Sequence, residues 1–146
     1  MELQEKILEY LETHDVLTLA TLDEGGPWAT PLYYVSDDAL DLFFLSDPTT
    51  RHCQAVARNP NVSAAIHEES AAWTDIRGLQ LEGRVHPVDD EQAAERVLAS
   101  YTAKFPFALA LASLDGPHRF YRIQPRWLRL IDNSCGLGFK EELRLS

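Results

Sequence analysis

A run of hydroxyl side chains followed by an arginine and a histidine is the part of the sequence best suited to bind a ligand. Ser46 opens this segment, Thr49 and Thr50 follow, and Arg51 and His52 close it. Hydroxyl and guanidinium groups donate hydrogen bonds, and one arginine can donate two of them to a single phosphate. This hydroxyl–arginine segment (residues 46–52) therefore has the chemistry to hold a phosphate group.

The residues around the hydroxyl–arginine segment place it at the start of a helix. An apolar run at residues 40–45 predicts a strand before it, and residues 49–58 have the pattern of a short helix. Asp47 or Ser46 suits the N-cap position, and Pro48 suits the first helical position. The first backbone N–H groups of a helix have no partner inside it and carry partial positive charge, which favours a bound anion.

Two interpretations of this helix start follow from the residues alone. A cation in the first helical turn is unfavourable unless an anion is present, so a bound phosphate would explain why Arg51 and His52 lie there. In the alternative, Asp47 neutralises Arg51 and the segment binds nothing. Both interpretations are open at this point, because a stray arginine at a helix start is common.

Composition and charge restrict the class of protein. The chain has 146 residues, the length of one domain, and we expect residues 1–146 to form it. Its net charge of −10 disfavours binding to nucleic acid and to anionic membranes, both of which attract basic surfaces. Cys53 and Cys135 show no metal-ligand spacing, and we find neither a signal peptide nor a membrane-spanning run. We therefore expect a cytoplasmic protein without a metal site.

The rest of the chain favours a mainly β fold with peripheral helices. Apolar residues at helical spacing predict a helix over residues 2–13, and another begins at Asp89 and Asp90 and extends to about Ala103. Strands joined by short turns pair antiparallel, and six or seven of them would close into a small barrel without exposed edges. The predicted strands are residues 16–22, 28–35, 40–45, 61–67, 74–86, 119–123 and, as the last, 127–131.

Several motifs occur in the order and spacing of one known family. A hairpin at residues 20–27 precedes the hydroxyl–arginine segment, and residues 59–63 and the long strand at residues 76–83 follow it. Together these motifs resemble the FMN-binding split barrels, the superfamily of pyridoxamine 5′-phosphate oxidase. Tyr101 with residues 104–106, and residues 132–134 with 136–140, are similar to the small YhbP-like branch of that superfamily.

The resemblance implies a homodimeric split β-barrel with FMN at the subunit interface. In it the hydroxyl–arginine segment surrounds the FMN phosphate, and the strand at residues 30–33 lies along the isoalloxazine through its backbone. Gln80 lies near the polar edge of the ring, and Trp127 reaches the flavin of the partner subunit. The cofactor-binding residues that the resemblance implies are Thr30, Pro31, Leu32, Tyr33, Ser46, Thr50, Arg51, His52, Gln80 and Trp127.

The chain departs from the oxidases of this superfamily at three places. His52 stands where the oxidases have a second basic residue, and Thr30 stands where they have an arginine. The C-terminal segment with which the oxidases bind pyridoxal phosphate has no counterpart before Ser146. We therefore do not expect the protein to oxidise pyridoxamine phosphate, and the deazaflavin F420 and haem are alternative cofactors.

These features support a flavin-dependent oxidoreductase of unknown small-molecule substrate. We assign no catalytic side chain, because a flavin carries the redox chemistry while the protein supplies binding and orientation. The alternative is a non-catalytic protein that carries, stores or senses flavin, F420 or haem. A third hypothesis is a structural dimer whose pocket has lost its ligand.

Overall fold

One antiparallel sheet organises the chain. The computed structural model describes residues 1–112 and 117–145, and eight strands of these residues form the sheet. The strands are β1 (Val16–Asp23), β2 (Gly26–Tyr33), β3 (Val35–Ser36), β4 (Leu42–Ser46), β5 (Asn61–His67), β6 (Arg77–Pro87), β7 (Arg119–Asp132) and β8 (Lys140–Arg144). The helices are α1 (Leu3–Glu12), α2 (Arg51–Arg58), α3 (Glu91–Lys104) and α4 (Ala108–Ala112). The predicted mainly β fold with peripheral helices is confirmed.

Seven of the strands form one hydrogen-bonded path, in the order β2-β1-β5-β6-β7-β4-β3. The eighth, β8, pairs with β7 outside this path, and the sheet curls into a half-barrel. All the pairs are antiparallel, as the short turns predict. Because β2 ends the path and pairs only with β1, its outer edge presents backbone groups that no other described strand uses.

The core fills the inner face of the half-barrel. Side chains of a strand alternate between the two faces, and on β6 Leu79, Leu81 and Val85 are buried whereas Gln80 and Glu82 are exposed. Burial of each such side chain stabilises the fold by about 1.5–3 kcal/mol. The helix α1 adds three buried side chains to this core, Ile7, Tyr10 and Leu11. No described helix has both the length and the apolar composition needed to cross a membrane.

A bulge explains why one long strand replaces the last two strands that the sequence predicts. The structure has the single strand β7, which continues through Pro125. Its pairing with β6 shifts register between Glu82 and Gly83, so that Arg126 is the extra residue of a bulge. Pro125 is tolerated at the bulge because its missing N–H interrupts no regular ladder hydrogen bond.

The strand β8 lies beyond the last strand that the sequence predicts. Four of its five residues are charged, so the apolar alternation that marks a strand is missing. It pairs with β7 from Trp127 to Ile131, and its Leu143 packs against the core. Pairing with an existing strand, rather than local propensity, therefore fixes this segment.

The close approach of the two strands at the bulge yields a stability prediction. A Cβ atom on Gly83 would overlap the backbone carbonyl of Gln124, whereas a Cβ on Gly78 would lie 3.6 Å from the carbonyl oxygen of Ile66, an ordinary contact. We expect Gly83→Ala to lower the free energy of unfolding by about 1–3 kcal/mol, as overpacking does. Gly78→Ala, the matched control on the same strand, should change it by less than about 0.5 kcal/mol. Urea unfolding of the two variants measures both values, and equal effects would contradict this account of the bulge.

Candidate functional site

A turn held by Asp47 separates β4 from α2 and moves the helix start. The side chain of Asp47 accepts hydrogen bonds from the backbone N–H and the hydroxyl of Thr49, at 2.8 and 2.9 Å. Its carbonyl accepts from the N–H of Thr50 at 3.1 Å and from the hydroxyl of Thr50 at 2.8 Å. The prediction that Asp47 or Ser46 caps a helix beginning at Pro48 is therefore wrong. Thr50 is the N-cap, and α2 begins at Arg51.

No side chain in the described part of the chain caps the start of α2. Because the Thr50 hydroxyl donates to the Asp47 carbonyl, it forms no capping hydrogen bond, and the first turn contains no acidic residue. The first hydrogen bond of the helix runs from the N–H of Gln54 to the carbonyl of Thr50. The N–H groups before it keep their partial positive charge. An anion is the partner that this helix end favours.

His52 points into the core and joins two hydroxyls of the hydroxyl–arginine segment. Its Nε2 atom lies 2.6 Å from Ser46 Oγ and 3.4 Å from Thr50 Oγ1, and both His52 and Ser46 are buried. Burial lowers the pKa of His52, so the ring is neutral at neutral pH. Since the Thr50 hydroxyl donates to a carbonyl, it can only accept from the ring, which favours the tautomer protonated at Nε2. Ser46 then accepts from His52 and keeps its own proton for another acceptor.

Arg51 points away from His52 and binds a residue of the β1–β2 hairpin. Its Nε and Nη2 atoms donate to the two carboxylate oxygens of Asp23, at 3.0 and 3.1 Å. The guanidinium also lies over the ring of Trp28, with its central carbon 4.3 Å from the ring centroid. The hydrogen bond from Arg51 holds the pKa of Asp23 below its usual range. The alternative in which Asp47 neutralises Arg51 is therefore wrong, because Asp23 does so.

A pocket of about 360 Å³ lies between α2 and the β1–β2 turn. Asp23 and Gly25 line it from the turn, and Arg51, Gln54 and Arg58 line it from the helix. The sequence prediction omitted Arg58, although its spacing of seven residues from Arg51 places both arginines on one helical face. It also omitted Asp23 and Trp28, whose approach to α2 depends on how the sheet curls.

The residues predicted along β2 alternate between the two faces of this edge strand. Pro31 and Tyr33 are exposed, whereas Thr30 and Leu32 are half-buried. The hydroxyl of Thr30 is enclosed and has no hydrogen-bond partner in the described part of the chain. The hydroxyl of Thr21, which lies on the neighbouring strand, shares this property. Unpartnered enclosed hydroxyls are uncommon in folded proteins and indicate a place for a bound polar group or water.

Gln80 and Trp127 lie together on the outer face of the sheet, away from the buried Ser46–His52 pair. They line a groove of about 330 Å³ whose floor consists of small side chains. The indole N–H of Trp127 donates to Glu142 at 3.3 Å, and Arg129 lies over the indole ring. The small residues that line the groove are Thr18, Ala20, Ser63, Ala64 and Ala65.

The predicted cofactor residues therefore form three groups in one chain. The first is the hydrogen-bonded cluster of Ser46, Thr50 and His52 beside the start of α2, and the second is the edge strand β2. The third is the outer groove with Gln80 and Trp127. Arg51 joins the first group through the helix and the β1–β2 hairpin through Asp23. An uncapped helix start, an adjacent guanidinium and a serine with a free proton fit a phosphate group.

Comparison with known proteins identifies relatives that span nearly the whole chain. Residues 3–132 match the family model described as pyridoxamine 5′-phosphate oxidase. A UPF0306 protein of Campylobacter jejuni is 27% identical over 141 residues, which cover 96% of this chain and 97% of that protein. The UPF0306 protein YhbP of Escherichia fergusonii is 25% identical over 141 residues, 96% of this chain and 92% of that protein.

Solved structures with a similar fold confirm the split-barrel class. A candidate pyridoxamine 5′-phosphate oxidase of Listeria innocua is 26% identical, with a TM-score of 0.72 over 88% of this chain and 98% of that chain. HutZ, the haem storage protein of Vibrio cholerae, is 24% identical, with a TM-score of 0.71 over 86% of this chain and 91% of that chain. The likeness to HutZ shows a shared fold.

Burial of His52 predicts a pH-dependent stability. Because the pKa of His52 is lower in the folded chain than in the unfolded chain, the unfolded chain binds more protons below about pH 6.5. The stabilising contribution is complete above that pH and is lost as the pH falls towards the pKa of the folded state. We expect the free energy of unfolding to decrease between about pH 7.5 and about pH 5.5, and His52→Gln, which keeps an N–H donor, to flatten this slope.

Urea unfolding at several pH values measures the slope. His86→Gln, a change of an exposed histidine on β6, is the matched control and should leave the slope unchanged. Equal slopes in wild type and His52→Gln would show that the Ser46–His52 pair does not depend on a neutral imidazole.

Proposed function

Because the chain belongs to the pyridoxamine 5′-phosphate oxidase family, we propose that it binds FMN as a homodimer and acts as a flavin-dependent oxidoreductase. The observation that carries the proposal is the uncapped start of α2, with Arg51 as its first helical residue. The phosphate of FMN would occupy this helix end, where the N–H groups lack intrahelical partners. Because His52 and Thr30 stand where the oxidases have basic residues, we propose a small-molecule substrate other than pyridoxamine phosphate.

The hydroxyl–arginine segment would bind the phosphate through three kinds of donor. Backbone N–H groups at the start of α2 supply the first, and the proton of Ser46 that is not used by His52 supplies the second. Arg51 supplies a charged donor from the other side. In this proposal His52 positions Ser46 and does not contact the phosphate as a charged group, because burial keeps its ring neutral.

The edge strand β2 would bind the isoalloxazine ring. The N–H of Tyr34 donates to the carbonyl of Asp15 beside β1, so by strand alternation the backbone groups of residues 30 and 32 also face β1. The outer edge offers the N–H and C=O groups of residues 29 and 33, whereas Pro31 offers only a carbonyl. Such donors and acceptors match the polar edge of a flavin, which accepts a hydride from a donor and passes it to an acceptor when it is bound. The side chains of this chain then bind and orient the cofactor, and none of them needs to transfer a proton.

The outer groove would face the partner subunit. Its floor consists of small side chains, which allow a second sheet or loop to approach closely, and the indole of Trp127 lies at its rim. A second copy seated there would bring residues of one chain towards the cofactor of the other. This arrangement would unite the three groups of predicted cofactor residues, which a single chain holds apart.

A haem-binding carrier is the second candidate function. The fold is shared with HutZ, a haem storage protein, and the absence of an assigned catalytic side chain fits a storage or sensing role as well as a redox role. F420 is a further alternative cofactor, since it also presents a phosphate. The absorption spectrum of the purified protein separates these candidates, because a flavin, a deazaflavin and a haem absorb at different wavelengths.

Titration with FMN tests the leading candidate. We expect the protein to bind FMN and Arg51→Ala to weaken binding by about tenfold or more, the loss of one charge-assisted hydrogen bond. Arg84→Ala is the matched control, because Arg84 is exposed on β6 and makes no ion pair in the described residues. Quenching of flavin fluorescence measures the dissociation constants. A wild-type protein that does not bind FMN would contradict the proposal.

Oligomeric state tests the role of the outer groove. Ala65→Arg places a long charged side chain on the groove floor and should convert the dimer into a monomer with reduced FMN affinity. Ala99→Arg, the same substitution on the exposed surface of α3, should leave the dimer intact. Light scattering after gel filtration reports the mass of each variant. A dimer that survives Ala65→Arg would place the interface elsewhere.

A further inference from the structure

The bidentate face of Arg51 is occupied by a carboxylate of the same chain. Asp23 accepts from Nε and from Nη2, which is the arrangement in which an arginine binds a phosphate. A phosphate at the start of α2 that uses this face must first separate Arg51 from Asp23. The ion pair is not buried, since 38% of the Arg51 side chain and 22% of the Asp23 side chain remain exposed.

The β1–β2 turn is shaped to hold this pair. The N–H of Gly25 donates to Asp23 Oδ1 at 2.8 Å and fixes the carboxylate, while Trp28 supports the guanidinium from its ring face. A Cβ atom on Gly25 would lie 2.9 Å from Arg51 Nη2 and 3.2 Å from Asp23 Oδ1. The absence of that atom gives the guanidinium room to lie against the turn. Arg51 is therefore held by three contacts, two hydrogen bonds from its guanidinium to the Asp23 carboxylate and one contact with the Trp28 ring.

We propose that Asp23 is an internal competitor of the phosphate group, which rests on the proposed function of the start of α2 as a phosphate site. The carboxylate carries one negative charge, whereas a phosphate monoester carries up to two at neutral pH. A dianionic phosphate therefore displaces Asp23 from Arg51 more easily than a monoanionic phosphate does. In this role Asp23 determines specificity among phosphate ligands by their charge, and it leaves riboflavin, which brings no phosphate to Arg51, unaffected.

Displacement of Asp23 requires little free energy. An exposed ion pair contributes little to the stability of a protein, so we expect the competition from Asp23 to lower phosphate affinity by a factor of only about five. The Gly25 N–H can continue to satisfy Asp23 after Arg51 leaves it, so the released carboxylate is not left unpaired. Arg58, which lines the same pocket, offers a second cation to the released carboxylate.

The test compares two flavins and two variants of matched charge. Asp23→Asn removes the competing charge and should tighten FMN binding by about fivefold. Riboflavin, which lacks the phosphate, should bind wild type and Asp23→Asn equally. Glu95→Gln makes the same change of net charge on the exposed surface of α3, and the Glu95 carboxylate has no ion pair in the described chain, so FMN affinity should change by less than about twofold.

Gly25→Ala tests the same inference without a change of charge. The added methyl group would push Nη2 away from Asp23 and should also tighten FMN binding, again without an effect on riboflavin. This variant keeps both partners of the pair and both of their charges, so it separates the contact between them from the charge of Asp23. Fluorescence quenching measures both flavins in each variant, and thermal unfolding confirms that each variant is folded.

The outcomes separate this inference from the proposed function. Tighter FMN binding by Asp23→Asn, with riboflavin unchanged, supports the inference. If wild type binds FMN and Asp23→Asn weakens or does not change that binding, Asp23 positions Arg51 or is irrelevant, and the inference is overturned while the proposed function stands. If neither wild type nor any variant binds FMN, the proposed function fails and the inference fails with it.

Discussion

The turn that Asp47 stabilises determines where α2 begins and leaves the first N–H groups of the helix available to a bound anion. By accepting hydrogen bonds from Thr49 and Thr50, Asp47 keeps three residues outside the helix and engages the hydroxyl that would otherwise cap it. The helix therefore begins at Arg51, its first N–H groups have no intrahelical partner, and its first turn contains no acidic residue. An uncapped helix end beside a folded core is a cost to stability that a bound anion would offset.

The side chains of two consecutive residues at this helix start point to different parts of the structure. Successive helical residues point about 100° apart, so His52 enters the core while Arg51 reaches the β1–β2 hairpin. His52 orients Ser46 through its neutral ring, and Arg51 connects the helix to the β1–β2 hairpin through Asp23 and Trp28. The phosphate site that we propose lies between them and depends on both.

The sequence predicts a strand well where its apolar periodicity is strong, and poorly where pairing with a neighbouring strand fixes its structure. The strand β5 has the predicted bounds because its alternation is clear, whereas β8 has almost no apolar residues and is fixed by β7 alone. The residue types predict a helix start that carries hydroxyls and an arginine, and the structure has one at Arg51. The partner of Arg51 was not predictable, because Asp23 lies 28 residues away and reaches Arg51 only through the curl of the sheet.

The central claim is that the start of α2 holds the phosphate of FMN, and phosphorus NMR tests it most directly. A phosphate held by N–H groups and a guanidinium stays dianionic, so its second pKa falls below the usual value of about 6. The account predicts that the phosphorus resonance of protein-bound FMN shifts from that of free FMN and does not titrate down to about pH 5.5. A bound FMN whose phosphorus resonance keeps the position and titration of free FMN would contradict it.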